Sequence, residues 1–226
     1  MKKNILKQII FVLSLTLTAN IYAQEKINWS GPFVGVDVGY TWTTDKKNNA
    51  SRDGFSYHAK NKDNGGLIGI NTGYNFILNE KWLLGFIGEY KAYDAQDSDV
   101  DLKDGVPDDV TTVSSVDQKV SLLAKLGYLI DSKTLVFITG GYATAEMSRH
   151  YDEVTPNRSE KHKDWQNGWS IGFGSAYNFH ENLSANLQYR YTDLRTNDIN
   201  IAMWNNAPQP QKVSQDEVTF GITYHF

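Results

Sequence analysis

Apolar residues recur at every second position in eight stretches of this chain, a period that predicts β-strands. In the first, Val34, Val36, Val38, Tyr40 and Trp42 alternate with Gly35, Asp37, Gly39 and Thr41. The second places Ile68, Ile70, Tyr74 and Phe76 on one face, with Gly69, Asn71, Gly73 and Asn75 on the other. Stretches 82–91, 119–130, 169–179, 183–191 and 217–226 repeat the pattern. The fifth stretch, 134–147, has no single phase: Val136, Ile138 and Tyr142 share a face, but Leu135 and Phe137 opposite them are just as apolar.

The polar faces are built from Gly, Ser, Asn and Thr with a few charges, while the apolar faces run unbroken and end in aromatic residues. A soluble barrel, such as an eight-stranded cup, would carry a richly charged outer face. The inverse arrangement fits lipid outside and a narrow polar lumen inside. Each apolar run covers roughly 9–11 residues, the length a tilted strand needs to cross hydrocarbon. Tight turns at 79–81, 131–133 and 180–182 alternate with long polar segments near 44–65, 93–117, 148–167 and 193–215. The expected fold is therefore all-β: an eight-stranded antiparallel transmembrane β-barrel with short periplasmic turns and four long external loops. Pro107, Pro156, Pro208 and Pro210 fall in the loops and Pro32 precedes the first strand, so the ladders need not accommodate a missing donor. Trp82, Phe179, Tyr224 and Phe226 are placed at the periplasmic rim, and Trp42, Tyr90, Trp169 and Tyr191 at the outer one.

The first 23 residues differ in kind. Lys2, Lys3 and Lys7 precede an apolar core from Ile9 to Leu17, and Ile21-Tyr22-Ala23 offers a cleavage site. This is the form of a secretory signal peptide, leaving 24–226 as the barrel domain. The segment holds three lysines and no acid, so the remaining 203 residues carry a formal charge of −7 against −4 for the whole chain. With no basic block, nucleic acid is not an expected partner. The chain has no cysteine, which excludes both a lipoprotein anchor and disulfide stapling. Mean hydropathy is −0.47, and beyond the N-terminus no stretch is long and apolar enough for a spanning helix.

Asn28-Trp29-Ser30-Gly31-Pro32-Phe33-Val34-Gly35 resembles the opening of the small outer-membrane β-barrel family of opacity-type and OmpA-like proteins. The run from Gly168-Trp169-Ser170-Ile171-Gly172 through Asn178-Phe179 to Tyr189-Arg190-Tyr191-Thr192-Asp193 is similar to that family's C-terminal signature, with Leu183 where many relatives carry Trp. Phe220, Ile222, Tyr224 and Phe226 are similar to the terminal signal read by the barrel assembly machinery. The resemblance implies an eight-stranded barrel in the outer membrane of a Gram-negative cell, among lipid and lipopolysaccharide. With Phe226 closing the last strand, no peptidoglycan-binding domain is expected after it. The resemblance implies no single activity, since such proteins are structural surface proteins, adhesins, minor pores or haem-binding proteins.

Candidate chemistry lies first on the inward faces, at Asp37, Glu89, Lys91, Lys119, Lys125, Arg190, Glu217 and His225. An eight-stranded interior has room only for side chains, so these charges are expected to form a paired network that closes the lumen. A narrow gated ion path is the alternative. Asp97, Asp99 and Asp101 open like an EF-hand loop, but Leu102 stands where its glycine belongs and Asp108 where its glutamate belongs. They are candidates only for a weakly held divalent cation. His58, His150, Tyr151 and His162 are loop positions able to offer haem ligands, although no cofactor is expected. Ser148 precedes His150 without an orienting acid in the sequence pattern, so no catalytic residue is assigned. The expected role is non-enzymatic: an envelope surface protein whose loops contact host or environment. A nonspecific pore and a haem- or cation-binding receptor are the alternatives.

Overall fold

The computed structural model describes residues 29–52, 55–95, 97–103, 106–153, 158–201 and 207–226; for 45–62, 95–114, 151–158 and 196–211 the description is of the backbone alone. The signal segment 1–23 lies outside these residues. Nine strands follow in order: β1 (Gly31–Arg52), β2 (Phe55–Ile77), β3 (Trp82–Ala95), β4 (Asp97–Lys103), β5 (Val106–Leu129), β6 (Thr134–Glu153), β7 (Arg158–His180), β8 (Leu183–Ile201) and β9 (Ala207–His225). Every pairing is antiparallel, and β1 pairs with both β2 and β9, so the sheet closes on itself. Eight strands make the wall. β4 takes the place of β3 beyond Ala95, pairing with β5 along its length and with β2 at Tyr57 and His58.

Alternation fixes the two surfaces. Val38, Ile68, Phe86, Leu122, Ile171, Phe173 and Phe220 are exposed outward, while Asp37, Glu89, Ser121, Ser170 and Thr219, on neighbouring positions, are buried inward. Aromatic pairs mark both rims: Tyr40 with Trp42 at 5.1 Å and Trp169 with Tyr191 at 5.7 Å outside, Trp82 with Tyr128 at 5.1 Å and Tyr224 with Phe226 at 5.0 Å on the periplasmic side. Outer-rim hydroxyls reach polar groups at the same level, as Tyr40 does to Asn64 Oδ1 at 2.7 Å and Tyr90 to Gln118 Oε1 at 2.7 Å. Such rings hold an apolar body in lipid and a polar tip in water.

The periplasmic turns are closed by side chains. Asn79 Oδ1 accepts from the backbone of Lys81 and Trp82, each at 3.0 Å. Asp131 Oδ1 accepts from Lys133 and Thr134 at 2.7 and 2.8 Å. These backbone donors hold the Asp131 carboxyl below its ordinary range.

Two features go beyond the sequence pattern. The long polar segments are external connections built largely of continued ladder: β1 runs from Trp42 on to Arg52, and β6 from Tyr142 on to Glu153. The phase of 134–147 is also settled. Val136, Ile138 and Tyr142 face lipid, and Leu135, Phe137, Thr139, Ala143, Ala145 and Met147 face inward.

Candidate functional site

The eight wall strands stand in the order β1, β2, β3, β5, β6, β7, β8, β9 around the ring, so β5 is opposite β9 and β3 is opposite β8. Charged inward residues meet along both diameters. Lys119 of β5 reaches Glu217 Oε1 on β9, and Arg190 of β8 reaches Glu89 Oε1 on β3. Lys91 Nζ joins the two pairs, lying 2.9 Å from Glu217 Oε2 and 3.4 Å from Glu89 Oε1. Polar neighbours complete the layer. Tyr93 donates to Glu217 at 2.5 Å, Lys119 donates to Gln215 Oε1 at 2.8 Å, and Arg190 Nη2 donates to Gln188 Oε1 at 3.0 Å. Gln188 in turn donates to Thr139 on β6 at 2.9 Å, over Gly172 of the intervening β7. Asp37 accepts from Asn71 at 2.7 Å, and Gly221 beside it leaves the room that a Cβ would fill. Three acids (Asp37, Glu89, Glu217) balance three bases (Lys91, Lys119, Arg190). That balance matters, because an unpaired buried ion is costly, whereas pairing and hydrogen bonding offset much of the desolvation.

Apolar layers lie on both sides. Toward the outside, Val116, Ala145, Met147, Leu194 and Val213 form one buried cluster at the level of the outer rim, with Tyr93 packed beneath it. Above them Arg149 pairs with Asp164 at 3.1 Å. Toward the periplasm, Trp29, Leu83, Leu135 and Ala176 form the other cluster, with Leu129 and Phe137 against it. Trp29 precedes β1 yet is buried; its indole donates to the Ser132 carbonyl at 3.0 Å, and its ring meets His225 edge-on at 5.3 Å. The chain turns from this position into the wall at Gly31, whose φ of 112° suits glycine alone. Between Trp29 and the ionic layer lies a cavity of about 50 Å³ lined by Phe33, Asp37, Glu89, Lys125, Arg190 and His225, among others.

A closed antiparallel barrel with a lipid-like outer wall agrees with what the chain resembles by comparison. The family model described as outer membrane protein beta-barrel domain matches residues 9–226. This chain belongs to that family. It is 25% identical over 215 residues to the 31 kDa outer-membrane immunogenic protein of Brucella melitensis biotype 1, a match covering 89% of this chain and 85% of the relative; the protein of that name from Brucella suis biovar 1 matches equally. Among solved structures, Neisserial surface protein A aligns with a TM-score of 0.51 at 16% identity, over 87% of this chain and 98% of that one. The outer membrane protease OmpT from Escherichia coli aligns with a TM-score of 0.51 at 10% identity, over 92% and 99%. At such identities the likeness is one of fold. The family and its relatives place this outer membrane protein β-barrel in the Gram-negative outer membrane, its wall among lipid and lipopolysaccharide.

Within the family's barrel, the other candidate residues are scattered. Lys125 and His225 stand apart from the ionic layer, lining the cavity below it. Phe220, Ile222, Tyr224 and Phe226 share the outward face of β9 and its end, beside the seam with β1. Asp97, Asp99 and Asp101 fall on β4, whose backbone is extended along β5 and not wound as an EF-hand loop; their side chains lie outside the description, as does that of His58. His150 pairs with Lys161 and His162 with Arg149, so the two imidazoles occupy opposite faces of the β6–β7 ladder. Ser148 donates to Asp117 at 2.7 Å, an acid that also accepts from Ser115 at 3.0 Å and pairs with Lys163 at 3.1 Å. The alternating pattern gave no signal for Trp29, Leu83, Leu135 or Phe137 as lumen residues, because it assigns apolar side chains to lipid.

Proposed function

We propose that this protein is a non-enzymatic integral component of the outer membrane: a barrel closed by its own side chains, serving the envelope and presenting its outer β-extension for contacts outside the cell. The observation that carries the reading is the pair of ion bridges, Lys119–Glu217 and Arg190–Glu89, crossing the lumen on two diameters between apolar layers. A water-filled path would have to part both bridges and wet the Val116–Met147–Leu194 cluster. The terminal residues suit the same reading: Phe220, Ile222, Tyr224 and Phe226 present one apolar edge on the strand that closes the ring, a form suited to reading by the assembly machinery before closure. The name of the Brucella relatives, outer-membrane immunogenic protein, suits a surface role here.

The test is single-channel recording of the folded barrel in a planar bilayer. Silence from protein shown to be folded is the expected result. Steady, reproducible openings would replace this reading with the pore, and would make Lys91, Lys119 and Arg190 the residues governing ion selectivity.

A further inference from the structure

Lys125 is the one lumen cation below the outer rim that the ionic layer leaves out among the described residues. It is 8% exposed, and its ammonium lies 4.7 Å from the Phe33 ring centroid and 5.8 Å from that of Phe137. Gly85, its neighbour on β3, makes room for it: a Cβ there would meet Lys125 Cε at 3.0 Å. The carboxylates lining the same cavity are engaged elsewhere, Glu89 with Arg190 and Lys91 and Asp37 with Asn71. Among the described residues, a protonated Lys125 therefore adds one positive charge to those the ionic layer balances, in a place where an unmatched charge is costly. His225 lies on the same cavity with an unused donor position. Its Nε2 is 2.9 Å from Ser184 Oγ, while its Nδ1 is buried without a partner among the described residues. If the serine hydroxyl donates to Nε2, the neutral ring carries its proton on Nδ1.

We propose that this cavity is a binding site for a halide-sized monovalent anion, held by Lys125 with His225 as second donor. The cation–π contact with Phe33 holds the ammonium in place but supplies no net negative charge, whereas one anion neutralises it. The volume, about 50 Å³, is enough for a small monovalent anion with water. The site goes beyond the closed-barrel reading and does not depend on it, since an anion can be held whether or not the lumen conducts.

Bromide is the probe. Crystals of the detergent-solubilised barrel grown in sodium bromide are expected to show an anomalous peak within contact distance of Lys125 Nζ, and Lys125→Met, which keeps the stem over Phe33 without the charge, is expected to lose it. In solution, the unfolding midpoint of the wild-type barrel is expected to rise saturably as bromide replaces gluconate at constant ionic strength, with no rise in the variant. No peak in the wild-type cavity, a peak retained in Lys125→Met, or an equal bromide response in both proteins would each overturn the site. Should Lys125→Met not fold, the wild-type peak alone decides. A conducting barrel that still shows the peak would refute the closed-lumen function and leave the anion site standing.

Discussion

Lys119 and Glu217 belong to strands on opposite sides of the barrel and pair across its full width, both with fully buried side chains. Neighbouring strands would be linked by their ladders without this bridge; opposite strands are not. The bridge also resolves a like-charge conflict, because Lys91 and Lys119 are register partners on β3 and β5 and Glu217 contacts both. A single carboxylate thus bridges two lysines that the sheet itself forces together, and Glu89, also within reach of Lys91, supplies the second negative charge.

Glu217→Gln is expected to cost about 3–5 kcal/mol, the usual penalty for stranding a buried partner charge. The measurement is urea unfolding of the barrel in lipid vesicles. Lys119→Met with Glu217→Gln should recover part of the loss, because the double change removes one stranded lysine. Additive losses from the two substitutions would mean that the bridge carries no coupling.

The division of each strand into a lipid face and a lumen face was legible in the sequence, because side-chain alternation has a period of two and Val38, Leu122 or Phe173 has no reason to alternate with glycine and serine otherwise. What escaped was set by contacts distant in the chain. Leu135 and Phe137 point inward because Trp29 and Leu83 supply an apolar floor there, and no local pattern on β6 records that. The outer halves of the strands read as loops because, beyond the bilayer, nothing requires their outward faces to be apolar. Which acid meets which base depended on the closure of the ring, so the identities of the inward charges were readable but their partners were not.

Depth should govern the cost of charge on the wall. Leu187, 55% exposed and midway between Leu183 and Tyr191 on β8, faces the centre of the bilayer; Ile130 lies beside the Asp131 turn at its edge. Leu187→Arg is expected to destabilise the barrel by about 2–4 kcal/mol and Ile130→Arg by about 0–1 kcal/mol. A reversible refolding titration into lipid distinguishes them, and equal costs would reject the placement of the membrane along β8 and β5.

Outside the bilayer, Asp117 links β5 to the neighbouring strands. Partial burial opposes its ionisation, but hydrogen bonds from Ser148, Lys163 and Ser115 outweigh that and hold its carboxyl below 3.8. A depressed acid contributes stability that is present above its unfolded value and fades as pH falls through the lower folded one. Lys163, bonded to Glu146 and Asp117, is shifted above 10.5, so its contribution persists up to that pH and is lost above it. Asp117→Asn is therefore expected to lose less stability than the wild type on acidification from pH 5 to 2. Parallel acid limbs for the two proteins would show that Asp117 contributes nothing to folding.

Trp29 closes the periplasmic end from outside the ladder, held by one hydrogen bond to the Ser132 carbonyl and by its packing on Leu83, Leu135 and His225. Trp29→Ala is expected to cost about 3–5 kcal/mol, the range for removing a large buried aromatic side chain. It is not expected to make the barrel conduct. The ionic layer and the Val116–Met147–Leu194 cluster stay intact above the opened floor, and an ion entering from the periplasm would still meet both. Bilayer recording of the folded variant separates the two closures. Channels in Trp29→Ala but not in the wild type would make the tryptophan the seal, and the ion bridges a support for the wall alone.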